Sequence, residues 1–88
     1  MSEEHVEFEN ERVRVSRVKV GAGSQRQARS RKDRVIIWLT SAHHVRVGHD
    51  GRREELQRRP GEVAWRAASE HRIENIGEPH EVLIIELK

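Results

Sequence analysis

Three groups of residues in this 88-residue chain have the chemistry to hold or to work on a ligand. Arg29 and Arg31 stand two apart, so in an extended strand they share one face. Two guanidiniums on a face suit a carboxylate or a phosphate, which each fork can grip through paired N–H donors. The same two side chains could instead pair internally with Asp33, Glu62, Glu70 or Glu74, or turn out at a wet rim. His71 is followed four residues later by Asn75. Its imidazole titrates near neutrality and could act as a general acid, a general base or an anion donor. As a structural residue it would bond Asn75 or a backbone carbonyl. Trp65 could stack on a ligand beside Arg66, or pack in the core with its indole N–H satisfied at an opening.

His43 and His44 are adjacent and point to opposite faces of a strand. His43 shares parity with Val45 and Val47, so it is expected to face the core, with His44 outward. A metal site built from His43 and His71, completed by Glu62 or Glu74, is conceivable, but nothing in the spacing is diagnostic. His49 and His5 fall in a turn and in the N-terminal stretch, where they are expected to be solvated.

Several classes of chemistry have no support. There is no cysteine, which excludes disulfides and thiolate metal sites. Ser24, Ser30, Ser41 and Ser69 have no flanking signature of an activated serine. Gly21-Ala22-Gly23 is too short for a phosphate-cradling loop and precedes no helix. No apolar run approaches the roughly 18 residues of a membrane span. The opening Met1-Ser2-Glu3-Glu4 is acidic, the wrong sign for an export signal, so a cytoplasmic location is expected.

The net charge is only +2, while the sequence pI is about 9.7, because the cations are mostly arginine. Charge is segregated. Glu3, Glu4, Glu7, Glu9 and Glu11 lie together near the start, and Arg26, Arg29, Arg31, Lys32 and Arg34 form a basic block. That block could meet nucleic acid, but it lacks the aromatic platforms that single-strand binders interleave with their basic groove, and the overall charge is nearly balanced. Nucleic acid is therefore not the expected partner. A solvated edge, or an intermolecular match for the acidic segment, is the plainer account.

The elements that position these residues read as short strands. Glu7 to Val20 alternates, with Val13 and Val15 on one parity and Val18 and Val20 on the other, so a β-bulge is expected at Ser16-Arg17. Arg34 to Leu39 is β-branched and aromatic. His43 to Val47 and Arg52 to Arg58 flank an Asp50-Gly51 hairpin signal. Glu62 to Arg66 and His71 to Asn75 are joined by the small-residue corner Ala67-Ala68-Ser69. Glu81 to Leu87 is the last strand. About eight short antiparallel strands with turn signals between them and no helix describe an all-β sandwich or barrel. One domain is expected over residues 6–88, after a flexible stretch at 1–5. A chain this small buries only about 60–65% of its unfolded surface, so a homodimer is expected. The acidic edge at Glu7 to Glu11 beside an arginine-rich one suggests edge pairing.

The order of strands and turns resembles the cupin superfamily, whose fold is a small jelly-roll β-barrel. The first cupin motif is Gly, five residues, His-x-His, three or four residues, Glu, six residues, Gly. Gly23, Arg29-Ser30-Arg31, Val35 and Ala42 fit its spacing, with arginine in both histidine slots. The second is Gly, five residues, Pro-x-Gly, two residues, His, three residues, Asn. Gly61, then Ala67 and Ser69, then His71 one residue early, and Asn75 follow it. The resemblance covers roughly residues 8–87 and implies that Arg29 and Arg31 line the barrel interior opposite His71. Of the three His and one Glu that hold a metal in such cupins, His71 alone is kept, and arginine cannot ligate. The resemblance thus implies a domain with no cofactor. It would bind a small anionic ligand through Arg29, Arg31, Trp65, His71 and Asn75, or act as a dimeric interaction module. The alternative is a metal-dependent oxygenase or isomerase of cupin type that uses His71 and His43.

Overall fold

The computed structural model describes residues 2–30, 32–48 and 50–88. Nine strands account for most of these residues: β1 (Ser2–Glu9), β2 (Val13–Val20), β3 (Gln25–Ser30), β4 (Arg34–Trp38), β5 (Ala42–Gly48), β6 (Arg53–Arg58), β7 (Val63–Arg66), β8 (Ser69–Asn75) and β9 (His80–Leu87). They form two antiparallel sheets, ordered β1-β2-β9-β4-β7 and β3-β8-β5-β6. The all-β expectation holds, with one strand more than the sequence suggests. The run from Glu7 to Val20 is two strands. Asn10 divides them, its Oδ1 accepting from the amides of Arg12 at 2.8 Å and Val13 at 2.9 Å. Residues 2–5, expected to be loose, pair with the end of β2 from Ser2↔Val20 to His5↔Arg17.

Turn chemistry does what the sequence asks. Asp50-Gly51 closes the β5–β6 hairpin, with Gly51 at φ 84° and its amide on the Gly48 carbonyl. Gly61, at φ 88°, turns the chain between β6 and β7 and donates its amide to the Trp38 carbonyl. The corner after Arg66 carries the chain from one sheet to the other, and Asp33 Oδ1 holds it through the Ala68 amide at 3.0 Å.

The core lies between the sheets. Val18, Val20, Trp38, Val82 and Ile84 from the five-stranded sheet pack with Ala42 from the other. This fixes the inner parity: even-numbered residues of β2, β4, β7 and β9 face inward. Val13 and Val15 therefore face outward. The expected bulge at Ser16-Arg17 is absent, because β2 pairs with β9 without a break from Val13↔Leu87 to Val20↔His80. What resembled a slip in phase is a strand with apolar residues on both faces. The irregularity lies in the partner strand, between Val6 and Phe8. It shifts Phe8 from the inner parity of Val6 to the outer face, since one extra residue reverses the side-chain alternation.

Candidate functional site

The residues expected to form the site do not come together as one group. Arg31 lies outside the described residues, as do the side chains of Arg29 and His71. The backbone ladder pairs Ala28 with His71 and Arg29 with Glu70, so Arg29 and His71 stand on neighbouring rungs of opposite parity, and the register places Arg29 off the inner parity that the sequence led one to expect for it. Asn75 is buried and fully engaged. Its Nδ2 donates to the carbonyls of Gly21 at 2.9 Å and Glu78 at 3.2 Å, and its Oδ1 accepts from the Gly77 amide at 3.0 Å. It ties the β8–β9 turn to the end of β2. Trp65 is 54% exposed on the outer face of the five-stranded sheet, away from the interior.

The two adjacent histidines are reversed from expectation. His44 is 4% exposed and stacks on Trp38, with ring centroids 6.1 Å apart at 11°. His43 faces out, and its Nε2 lies 2.6 Å from Glu55. Parity with Val45 misleads because the inner face of β5 is Ala42, His44 and Arg46. Val45 is buried on the other face, beside Glu55 and Glu74 in the ladder, where Arg53 holds Glu74 at 2.6 Å. His43 therefore cannot join an interior metal site with His71. Among the described residues no three His, Cys, Asp or Glu side chains are grouped to hold a metal ion. A metal held in the cupin manner does not fit the described donors.

What the interior does hold is arginine. One row across the five-stranded sheet runs Arg14–Glu86–Arg34–Arg66. A row across the other sheet runs Ile73–Arg46–Glu54. Arg58 lies on the same inner face as His44, two residues from Leu56, which His44 faces across the ladder. Its guanidinium carbon sits 4.5 Å above the Trp38 ring, and its Nη1 is 3.3 Å from Glu62. The indole face favours a cation there, and the carboxylate fixes its direction.

Arg46 and Arg58 both lie close enough to act on Arg66. Burial, then the neighbouring Arg46 and Arg58 charges, hold the Arg66 guanidinium below its ordinary proton affinity, while Glu54 opposes them. The same field reaches His44. Burial is the largest cause of its pKa falling to about 4, followed by His80, Arg58, Arg66 and His43. His80, buried with its ring centroid 6.0 Å from that of His44, is lowered as well, chiefly by burial. Both imidazoles are neutral at physiological pH. Nε of Arg46 and Nε of Arg58 are buried and have no hydrogen-bond partner among the described residues. A buried guanidinium N–H without an acceptor is costly unless a ligand or ordered water completes it.

These arginines were not singled out from the sequence, because they sit one to a strand. The available signal was arginine alternating with β-branched or aromatic residues, in Val13-Arg14-Val15, Val45-Arg46-Val47 and Trp65-Arg66.

Structural comparison gives this architecture a place among known folds. A cupin domain from Bordetella pertussis Tohama I superposes with a TM-score of 0.89 at 23% identity, over 99% of this chain and 93% of that one. The chain has the cupin fold. A cupin domain of an XRE-family transcriptional regulator from Enterobacter cloacae matches with a TM-score of 0.76 at 12% identity, over 97% of this chain and 94% of that one. The polyketide cyclase RemF from Streptomyces resistomycificus matches with a TM-score of 0.76 at 17% identity, over 98% of this chain and 64% of that one. No protein-family model and no curated protein matches the sequence. A cupin fold thus serves an enzyme and a regulator domain alike, and the choice here rests on the interior side chains.

Proposed function

We propose that this cupin-fold chain binds a small anion, a carboxylate or a phosphate, in a barrel-type interior between its two sheets. The observation that carries the reading is the convergence of Arg46, Arg58 and Arg66 from three strands on one inner surface, with buried Nε groups on Arg46 and Arg58 that have no acceptor among the described residues. Among the described residues, the two inner rows above hold four arginines and two glutamates. An anion would complete the open donors and relieve the mutual repulsion of the guanidiniums. Arg58, held by Trp38 and Glu62, is preorganised for that role, which lowers the ordering cost of binding. His71, at the parity of Ile73 and Asn75, belongs to the proposal as a further candidate, as does Arg31; Arg29, at the opposite parity of β3, Trp65 and Asn75 do not.

The metal-dependent oxygenase or isomerase is the weaker alternative. It needs His43 beside His71, and His43 is committed to Glu55 on the outside.

Isothermal titration of the full chain with inorganic phosphate and with malonate tests the proposal. One saturable site is expected for at least one of them, weakened tenfold or more by Arg46→Gln and by Arg66→Gln. Arg52→Gln, in the exposed β5–β6 turn, should bind as the parent does. No saturable binding of either anion, or equal loss in Arg52→Gln, contradicts it.

A further inference from the structure

The inner surface is not arginine alone. Between the row that ends in Arg66 and the row of Trp38 lies one more, Ser16–Ile84–Ile36–Ala64. It goes from buried to open across the sheet. Ser16 is 2% exposed and Ile84 9%, while Ile36 and Ala64 pack against the core yet stay partly exposed. On the facing sheet Ile73, beside Arg46 in the ladder, and Leu56, beside His44, are partly exposed too. Ala64 and Leu56 lie on edge strands, where some exposure is ordinary. Ile36 and Ile73 do not. β4 is flanked by β9 and β7, β8 is flanked by β3 and β5, and both side chains have the inner parity of their sheets. Water reaches them through a gap between the sheets. A closed core would have buried them, as it buries Val18 and Val82.

The gap has a charged rim and a closed floor. Arg34 begins β4 and Arg66 ends β7, so their row lies at the strand ends, and Arg46 is close to Arg66 across the interior. The floor is Trp38, stacked on His44 and covered at one side by Arg58. Residues two apart on a strand are about 7 Å apart, so along β4 Ile36 lies about 7 Å inside the rim and Trp38 about 7 Å beyond it.

We infer that the ligand of this interior is a small amphipathic acid: one anionic group held among Arg46, Arg58 and Arg66, carrying a short apolar chain or a single ring that lies against Ile36, Ala64 and Ile73. The inference rests on the anion reading and narrows it from anions in general to organic ones. An inorganic anion would complete the arginine donors and leave the apolar row in water. An attached chain covers that row, and each methylene taken out of water tightens binding about fourfold. A mostly apolar wall with a few polar groups that fix orientation is the usual make-up of a small-molecule site. The floor limits the body to a short chain or one ring, because Trp38 and His44 are buried against each other below it.

The test is an NMR titration of the full chain at pH 7.5 and constant ionic strength with acetate, butanoate and hexanoate, and with inorganic phosphate and malonate alongside. Two methylenes separate butanoate from acetate, so butanoate should bind roughly 10- to 20-fold more tightly. The methyl signals of Ile36 and Ile73 should move further with butanoate and hexanoate than with acetate. Those of Ile37, on the outer face of β4, should stay in place with all three. Ala64→Phe fills the gap from an edge strand and should level the series within that variant, with circular dichroism as in the parent. Where that variant fails to fold, the methyl shifts of the parent decide. Equal affinity for the three carboxylates, with phosphate or malonate still bound, overturns this inference and leaves the anion reading standing. No binding of any of the five anions overturns both. A chain-length gain that persists in Arg46→Gln and Arg66→Gln, or in folded Ala64→Phe, puts the apolar body elsewhere and overturns the inference.

Discussion

Lowering the pH should unfold this protein through His44 before its carboxylates are protonated. His44 is buried against Trp38, near the Arg58 and Arg66 charges, and its pKa lies at about 4. In the unfolded chain the ordinary value, 6.5, returns. Between those limits the unfolded state binds a proton that the folded state refuses, so stability rises with pH through the window and falls as pH drops. A tenfold change in proton affinity is about 1.4 kcal/mol. The descent from 6.5 to about 4 therefore withdraws about 3 kcal/mol, a large part of the roughly 5–15 kcal/mol that holds a small domain together. His80, lowered by burial, acts in the same direction. Glu7, Glu9 and Glu74 have pKa values below 4.5 because of their hydrogen bonds to Arg17, Lys88 and Arg53, so their contributions are lost only at still lower pH. Urea unfolding at pH 7.5, 6.5, 5.5 and 4.5 separates the two windows. The parent should hold its stability above 6.5 and lose most of the His44 contribution by 4.5. His44→Leu should flatten that slope, leaving the share that belongs to His80. A parent curve that is level or rising as pH falls from 6.5 to 4.5, or a slope that His44→Leu leaves unchanged, would refute the reasoning.

Other perturbations follow from single contacts. Asn75→Ala removes three hydrogen bonds and leaves the Gly21 and Glu78 carbonyls and the Gly77 amide without a partner, at a cost of about 2–4 kcal/mol in the same urea assay. An unchanged midpoint would mean that the turn is held by other contacts. Gly77→Ala would set a methyl 2.8 Å from Cβ of His43, with backbone close behind, so a loss of about 1–3 kcal/mol is expected. Gly23→Ala tests a different mechanism: its Cβ meets nothing, but φ is 71°, so any loss comes from backbone strain alone. Trp38→Leu should cost stability and also loosen Arg58, so anion affinity should fall even where phosphate stays out of contact with residue 38. Titration calorimetry of the folded variant reads that loss, and unchanged affinity would count against preorganisation of Arg58.

The strands and turns were legible because turn chemistry is local. Asp50-Gly51, Pro60-Gly61 and Asn75-Ile76-Gly77 mark the corners, and the runs between them are too short for helices. The faces were less legible. Reading valine as inward works for Val18 and Val20 and fails for Val13, Val15, Val45 and Val47. On β2 the outward valines meet Leu87 and Ile85 across the ladder; on β5 they lie under ion pairs. Those departures produced the expected bulge in β2 and the reversal of His43 and His44. The arginines of the interior could not be grouped from spacing, since Arg14, Arg34, Arg46, Arg58 and Arg66 come from five strands. Only register sets Arg34 between Glu86 and Arg66, and Arg46 beside Glu54.

Side-chain NMR of the arginine Nε–H groups, recorded while inorganic phosphate is added, tests the central claim most directly. The signals of Arg46 and Arg58, whose buried Nε groups have no acceptor among the described residues, should move together along one saturating curve with Arg66, and that of Arg52 should stay in place. Movement confined to surface arginines, or none at all with phosphate or malonate, would contradict an anion site between the sheets.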